Sequence, residues 1–362
     1  MTLAPARQTA YAVLERVEGG AWASDLLLAA SAGLDPRDAG LASEIVFGVL
    51  RYRAQLDFLI EHYGGRQRLD AEVRLALRMG IYQLRYLERI PAHAAVAESV
   101  ELVKRARKRS AAGMVNAVLR KVDRAPVAWP TREIELSCPE WLLERWERHH
   151  GPEAARAIAL KALEEPQKYV RVSAAGTRFQ DIGSQTIVPL LELEPGHTFL
   201  DLCAAPGNKT AQALETGVRA VACDLHFHRL RELRGLAADL VVLDGTRPLP
   251  LARWFDRILV DAPCSGTGTL GRNPEIKWRL RPDDLADLHS RQTALLRNAL
   301  AALAPGGILV YSTCSLEPEE NRQVVAEAAP GREAAVWERL PGRDAGDGFW
   351  AAVIKSDEAA NG

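Results

Sequence analysis

Residues 198–210 read Thr-Phe-Leu-Asp-Leu-Cys-Ala-Ala-Pro-Gly-Asn-Lys-Thr. A short apolar run that ends in an acid and passes into a turn of small residues has the form of a buried strand delivering a ligand-binding loop. The form recurs downstream: 220–224, 240–244 and 257–261 are apolar strand candidates that also end in aspartate, and 307–312 is the strongest later candidate. Helical stretches lie between most of them. Apolar strands alternating with helices predict a doubly wound α/β sheet buried on both faces. Ligands of such sheets bind beyond the carboxyl ends of the strands, so Asp201, Asp224, Asp244 and Asp261 predict a ligand-binding edge.

The turn 203–210 narrows the ligand. It is not GxGxxG, which disfavours a nicotinamide dinucleotide and makes an oxidoreductase remote. Gly207-Asn208-Lys209-Thr210 imitates the tail of a phosphate-binding loop, but the glycine that should precede it is missing. Asp224 lies 23 residues past Asp201, near the spacing at which an acid meets a ribose hydroxyl. A nucleoside without a pyrophosphate fits these features, and S-adenosylmethionine is the common one.

Upstream the texture is different. Residues 1–126 read as an independent all-helical domain. Ala10, Val13, Leu14 and Val17 share one helix face, Leu41, Ile45, Val46, Val49 and Leu50 another, and Val73, Leu75, Leu77, Ile81 and Leu84 a third. Gly64-Gly65 and Pro91 punctuate these helices. The last helix is read as carrying Lys104, Arg105, Arg107, Lys108 and Arg109, five basic residues in six. Two readings stand: a solvated helix face, or a phosphate-binding patch. Residues 127–185, broken by prolines, read as a linker or shortened middle subdomain, and 186–362 as the α/β domain.

Composition excludes several classes. At ~100–200 residues per domain, 362 residues predict two or three domains. A content of 48% hydrophobic and 26% charged residues excludes global disorder, and no apolar run is long enough for an ordinary membrane span. With 46 basic and 47 acidic side chains, a uniformly basic coat is excluded but a local basic patch is not. The five cysteines form no CxxC pair, so neither a zinc site nor a disulfide framework is expected. The expectation is a cytoplasmic monomer with reduced thiols and no metal.

Cys138 and Cys223 read as small buried hydrophobes. Cys264, in Asp261-Ala262-Pro263-Cys264-Ser265-Gly266, and Cys314, in Ser312-Thr313-Cys314-Ser315, lie in polar turns on the predicted ligand edge. There a thiolate can serve as a nucleophile. Pyrimidine C5 needs one, because it accepts a methyl group only after a nucleophile has added at C6. Asp261, if near the base, is placed to hydrogen-bond its N3 edge.

At these residues the sequence resembles the RNA cytosine-C5 methyltransferases of the NOL1/NOP2/Sun type. The resemblance rests on DLCAAPGNKT at 201–210, DAPCSGTG at 261–268, RNPEIKW at 272–278 and YSTCSLEPEEN at 311–321. The helical part, with QTAYAVLERV and the basic run, is similar to a NusB-like RNA-binding domain. The pairing resembles members that act on small-subunit ribosomal RNA. The implied fold is a NusB-like all-α domain followed by a Rossmann-like, S-adenosylmethionine-dependent methyltransferase domain.

The resemblance implies Cys314 as nucleophile, Cys264 as the thiol that assists release of the methylated RNA, and Asp261 beside them. It implies cofactor binding by Cys203, Ala204, Ala205, Pro206, Gly207, Asn208, Lys209, Asp224, Arg229, Asp244 and Asp261. Expected RNA contacts are Lys104, Arg105, Arg107, Lys108, Arg109, Arg272 and Lys277. Asp347-Gly348-Phe349-Trp350 resembles the family's closing strand.

Two departures stand out. Asn208 replaces a usual glycine; if the position requires positive φ, asparagine is the least costly substitute. The insert expected between 172 and 179 is truncated, which shifts RNA contacts to the basic run or a partner. A non-catalytic RNA-binding or ribosome-assembly factor is the alternative, but an inert scaffold has no use for two such thiols, Lys209 and four strand-end acids together.

Overall fold

A computed structural model describes residues 3–173, 176–251 and 254–356. The chain divides into two compact units: Met1–Glu165 with Leu270–Arg279, and Pro166–Thr269 with Leu280–Gly362. Residues 127–165, expected in a linker, therefore group with the helices, and only 166–185 of that stretch groups with the sheet.

In the helical unit the expected faces point inward. Val13, Leu14, Ile45, Val46, Val49, Leu77 and Ile81 join one apolar core. Asp35 caps the helix Pro36–Arg51, accepting from the amides of Arg37 and Asp38 at 2.9 and 3.0 Å. Gly48 admits the ring of Tyr82 so closely that a Cβ there would stand 1.9 Å from Cζ. Ion pairs that tie helices together include Arg7–Glu98 at 2.9 Å and Arg78–Asp57 at 2.7 Å.

The segment Leu270–Arg279 completes this unit from far along the chain. It satisfies backbone groups left open at helix ends and turns. Glu275 accepts from the amide of Ala23 at 2.9 Å, the first residue of helix Ala23–Ser31. Lys277 Nζ donates to the Arg51 carbonyl at 2.9 Å, and Trp278 Nε1 to that of Leu50 at 2.7 Å. Arg279 donates to the Ala21 carbonyl, and Arg51 donates back to the Gly271 carbonyl at 3.0 Å.

The second unit holds nine strands among the described residues. β1 (Val170–Ser173) and β2 (Gly176–Phe179) make a separate antiparallel hairpin, which is what stands at the truncated insert. The main sheet contains β3 (Thr198–Asp201), β4 (Arg219–Asp224), β5 (Ala238–Val242), β6 (Phe255–Asp261), β7 (Leu303–Thr313), β8 (Glu333–Arg339) and β9 (Phe349–Lys355). Their order is β5-β4-β3-β6-β7-β9-β8, parallel from β5 to β7 and antiparallel at β9 and β8.

Alternation along the strands explains the burial. Leu200, Ile258, Val260, Leu309, Tyr311, Trp350, Ala352 and Ile354 enter one core, while Phe199, Leu259, Val310, Ala351 and Val353 enter another. Successive side chains point to opposite faces, so a strand buried on both sides reads as an unbroken apolar run. The strand order reverses between β3 and β6. A crevice at such a switch point is where a doubly wound sheet holds its ligand.

Candidate active site

Asp201 and Asp261 end β3 and β6, the two strands flanking the switch point, and Asp224 ends β4. Asp244 differs from expectation: β5 stops at Val242, and Asp244 lies in the following loop. There it accepts from the amide and hydroxyl of Thr246 at 3.0 and 2.6 Å, bonds that hold its carboxyl below the usual range.

Asp201 is buried and accepts from the Thr210 hydroxyl at 2.7 Å. Burial, with the negative charge of Asp261 nearby, pushes its carboxyl up to about 7 despite that hydrogen bond. Burial also pushes the Cys203 thiol well up and that of Cys223 up to about 12. Neither has the stabilised thiolate of a nucleophile.

The turn after β3 is fixed by few contacts. The Ala204 amide donates to the Cys223 carbonyl at 2.8 Å, and the Ala205 amide approaches Asp224 Oδ2 at 3.4 Å. Pro206 is exposed. The positive φ of the turn belongs to Gly207, at +102°, where a Cβ would meet Leu233 at 2.7 Å. Asn208 is instead the first residue of helix Asn208–Leu214 and has no left-handed conformation to tolerate. Its substitution for glycine needs no conformational excuse, and its amide donates to the Phe179 carbonyl at 3.2 Å.

Lys209 Nζ reaches Asp261 Oδ2 at 2.5 Å, and Ser312 donates to the other oxygen of Asp261 at 2.9 Å. The same ammonium lies 5.4 Å from the Phe349 ring centroid. Asp224 accepts from the His226 amide at 2.8 Å. Arg229, expected at the cofactor, is exposed on the short helix Phe227–Leu230.

The two thiols of the polar turns meet. Cys264 Sγ and Cys314 Sγ are 3.3 Å apart, and both are free cysteines. The hydrogen bond to Cys314 and then burial hold the Cys264 proton, raising that thiol well above its ordinary value. The turns also close against the start of β9. Gly268 donates to the Cys314 carbonyl at 2.9 Å, and Gly348 donates to the Gly268 carbonyl at 2.8 Å. A Cβ on Gly268 would stand 2.4 Å from the Gly348 oxygen, so only glycine permits this approach.

The structure revises the expected RNA contacts. Helix Ala92–Arg105 ends inside the basic run, Arg107 adopts φ +62°, and a further helix, Ala112–Leu119, follows. Lys104, Arg105, Arg107 and Arg109 are exposed, whereas Lys108 pairs with Asp70 at 2.9 Å. Lys277 is 1% exposed. Its ammonium, pushed down to about 8 by burial, is committed to the Arg51 carbonyl and faces no solvent. Arg272 is half-buried in the same segment.

Glu320, Gln292 and Ser312 form no motif of their own in the sequence, yet they are buried beside the thiols and Asp261. Glu320 lies within the quoted YSTCSLEPEEN motif, so its nearness to Cys314 was the available signal. Among the described residues, no group of three or more His, Cys, Asp or Glu side chains is arranged to hold a metal ion, and no helix is long and apolar enough to cross a membrane.

Comparison with known proteins places these features. Residues 188–340 match the family model described as 16S rRNA methyltransferase RsmB/F, and residues 4–124 match the NusB family. The ribosomal RNA small subunit methyltransferase B of Klebsiella pneumoniae is 32% identical, with 95% of this chain and 96% of that protein covered. The protein of the same name from Vibrio cholerae is 33% identical, with 95% and 96% covered. A crystal structure of a methyltransferase homolog protein from Pyrococcus horikoshii is 26% identical with a TM-score of 0.51, covering 62% of this chain and 97% of that chain. With a NusB-type helical part, a doubly wound sheet and relatives matched over nearly their whole length, the chain belongs to the ribosomal RNA small subunit methyltransferase B family of methyltransferases.

Proposed function

We propose that the protein methylates C5 of a cytosine in small-subunit ribosomal RNA, using S-adenosylmethionine and a covalent adduct between Cys314 and C6 of the base. The observation that carries this reading is the pair of free thiols 3.3 Å apart beside Asp261, at the carboxyl ends of neighbouring parallel strands.

The donor set at the switch point suits the cofactor. Asp224 and Asp244 are anchored by amides of their own loops, which leaves acceptor capacity on each carboxylate for ribose hydroxyls and for an adenine amino group. When bound, S-adenosylmethionine supplies an electrophilic methyl group. This chain's residues do the rest. Cys314 adds to C6 as thiolate, which raises electron density at C5. Asp261, held by Lys209 and Ser312, faces the base. After the methyl group is on C5, loss of the C5 proton expels the Cys314 sulfur. The C5 proton passes to a base from solvent, and Cys264, which keeps its own proton beside Cys314, assists by donating a hydrogen bond to the departing sulfur. The exposed Lys104, Arg105, Arg107 and Arg109 supply phosphate contacts.

The test is product identification. Small-subunit ribosomal RNA incubated with the protein and methyl-labelled S-adenosylmethionine is expected to yield 5-methylcytidine on nuclease digestion, and none with Cys314→Ala. Label on another base or on ribose overturns the reading.

A further inference from the structure

The described side-chain hydrogen bonds of the buried acid Glu320 converge on the turns that carry the two thiols. It is 0% exposed. One carboxylate oxygen accepts from the Ser265 amide at 2.7 Å and from Gln292 Nε2 at 3.0 Å. The other accepts from the hydroxyls of both Ser265 and Ser315. Ser265 follows Cys264 and Ser315 follows Cys314. Gln292 also donates to the carbonyl of Pro263, the residue before Cys264, at 2.9 Å. The two hydroxyls lie 3.0 Å from each other. The Glu320 main chain is held too, its carbonyl accepting from the Tyr311 hydroxyl at 2.6 Å.

We propose that Glu320 is a positioning residue for methyl transfer: its carboxylate brackets the turns that carry Cys264 and Cys314 and so sets the approach of the two sulfurs. Every hydrogen-bond donor described on it is neutral, so its burial is costly, and a carboxylate is kept there because it accepts four such bonds at once. Its charge has a second consequence. Beside Cys264 it adds to the hydrogen bond and the burial that hold the proton on that thiol. The inference rests on the reading of these two cysteines as the reacting thiols.

Phenylarsine oxide tests the geometry without turnover, since it joins two neighbouring thiols by forming two As–S bonds and releasing one water. The full-length wild type is expected to bind one arsenical per chain, and Cys314→Ala none. Glu320→Ala is expected to bind it at least about ten-fold more weakly. Its methyl transfer at saturating substrates should fall about 100-fold, as a displacement near 1 Å produces, with KM for RNA within about two-fold of wild type. In Glu320→Gln the amide oxygen can keep the N–H donors while its NH2 turns to the two hydroxyl oxygens. That variant is expected to recover the arsenical and most of the transfer.

A folded Glu320→Ala with wild-type turnover and wild-type arsenical binding overturns the bracket. If Glu320→Ala does not fold, Ser315→Ala severs one arm alone, and wild-type turnover there also overturns it. Full transfer by Cys314→Ala would overturn the reading of the thiols whatever the Glu320 variants do. An inactive Cys314→Ala beside a fully active Glu320→Ala would overturn the bracket alone.

Discussion

Cys264 and Cys314 face each other at 3.3 Å because β6 and β7 pair in parallel with Asp261 opposite Ser312, and each cysteine sits in the turn just beyond that pair. The register brings together sulfurs that are 50 residues apart in sequence. If Cys314 attacks C6 and Cys264 assists elimination, the two alanine variants separate. Cys264→Ala is expected to form the adduct, transfer the methyl group and stay joined to its RNA, giving a covalent band on a denaturing gel. Cys314→Ala and the double variant are expected to give none. A band that requires Cys264 and persists in Cys314→Ala would exchange the roles.

Asp224 ends β4 with its side chain bonded to the His226 amide and directed at the turn after β3. A charge-assisted hydrogen bond to a ribose hydroxyl is worth about 1.5–3 kcal/mol. Asp224→Ala is therefore expected to weaken S-adenosylmethionine binding about ten-fold or more, measured by calorimetry. Unchanged affinity in the folded variant would remove Asp224 from the cofactor site.

Exposed and buried cations should separate in their salt dependence. Replacing Lys104, Arg105, Arg107 and Arg109 by glutamine should reduce the slope of log affinity for RNA against log salt by up to about 3, through lost counterion release. Lys277→Ala should leave that slope unchanged. It should instead lower the melting temperature, because it empties a buried site and frees the Arg51 carbonyl, a loss of about 2 kcal/mol or more. A changed slope for Lys277→Ala would return that residue to the RNA surface.

Asp201 gives stability a pH dependence. Its folded carboxyl titrates at about 7 because burial disfavours the charge, whereas an unfolded aspartate titrates near ~4. Between those values the native state holds a proton that the unfolded chain has lost, so the contribution of this group to stability falls as pH rises from about 4 to about 7. Asp201→Asn should flatten that decline in denaturant titrations at pH 5 and pH 8. An unchanged slope would show Asp201 ionised throughout.

The sequence by itself determined the two fold classes and pointed to most of the candidate site. Period-3.6 apolar faces marked the N-terminal helices, and unbroken apolar runs ending in acids marked a sheet buried on both sides, because local periodicity records which faces leave water. The polar turns beyond those runs point to Lys209, Asp224, Asp261, Cys264 and Cys314 without reference to their neighbours in space. Tertiary structure alone decided what depends on pairing across long separations. Strand register placed the two sulfurs together, and chain threading put Leu270–Arg279 against the helices, where the buried Lys277 donates to a carbonyl. Asn208 gave no sign that Gly207 carries the positive φ of the turn. Glu320, one of three acids in the stretch 317–320, acquires a role only when its carboxylate meets Ser265, 55 residues earlier. Such contacts leave no local pattern, because the energy that selects them comes from burial shared between distant segments.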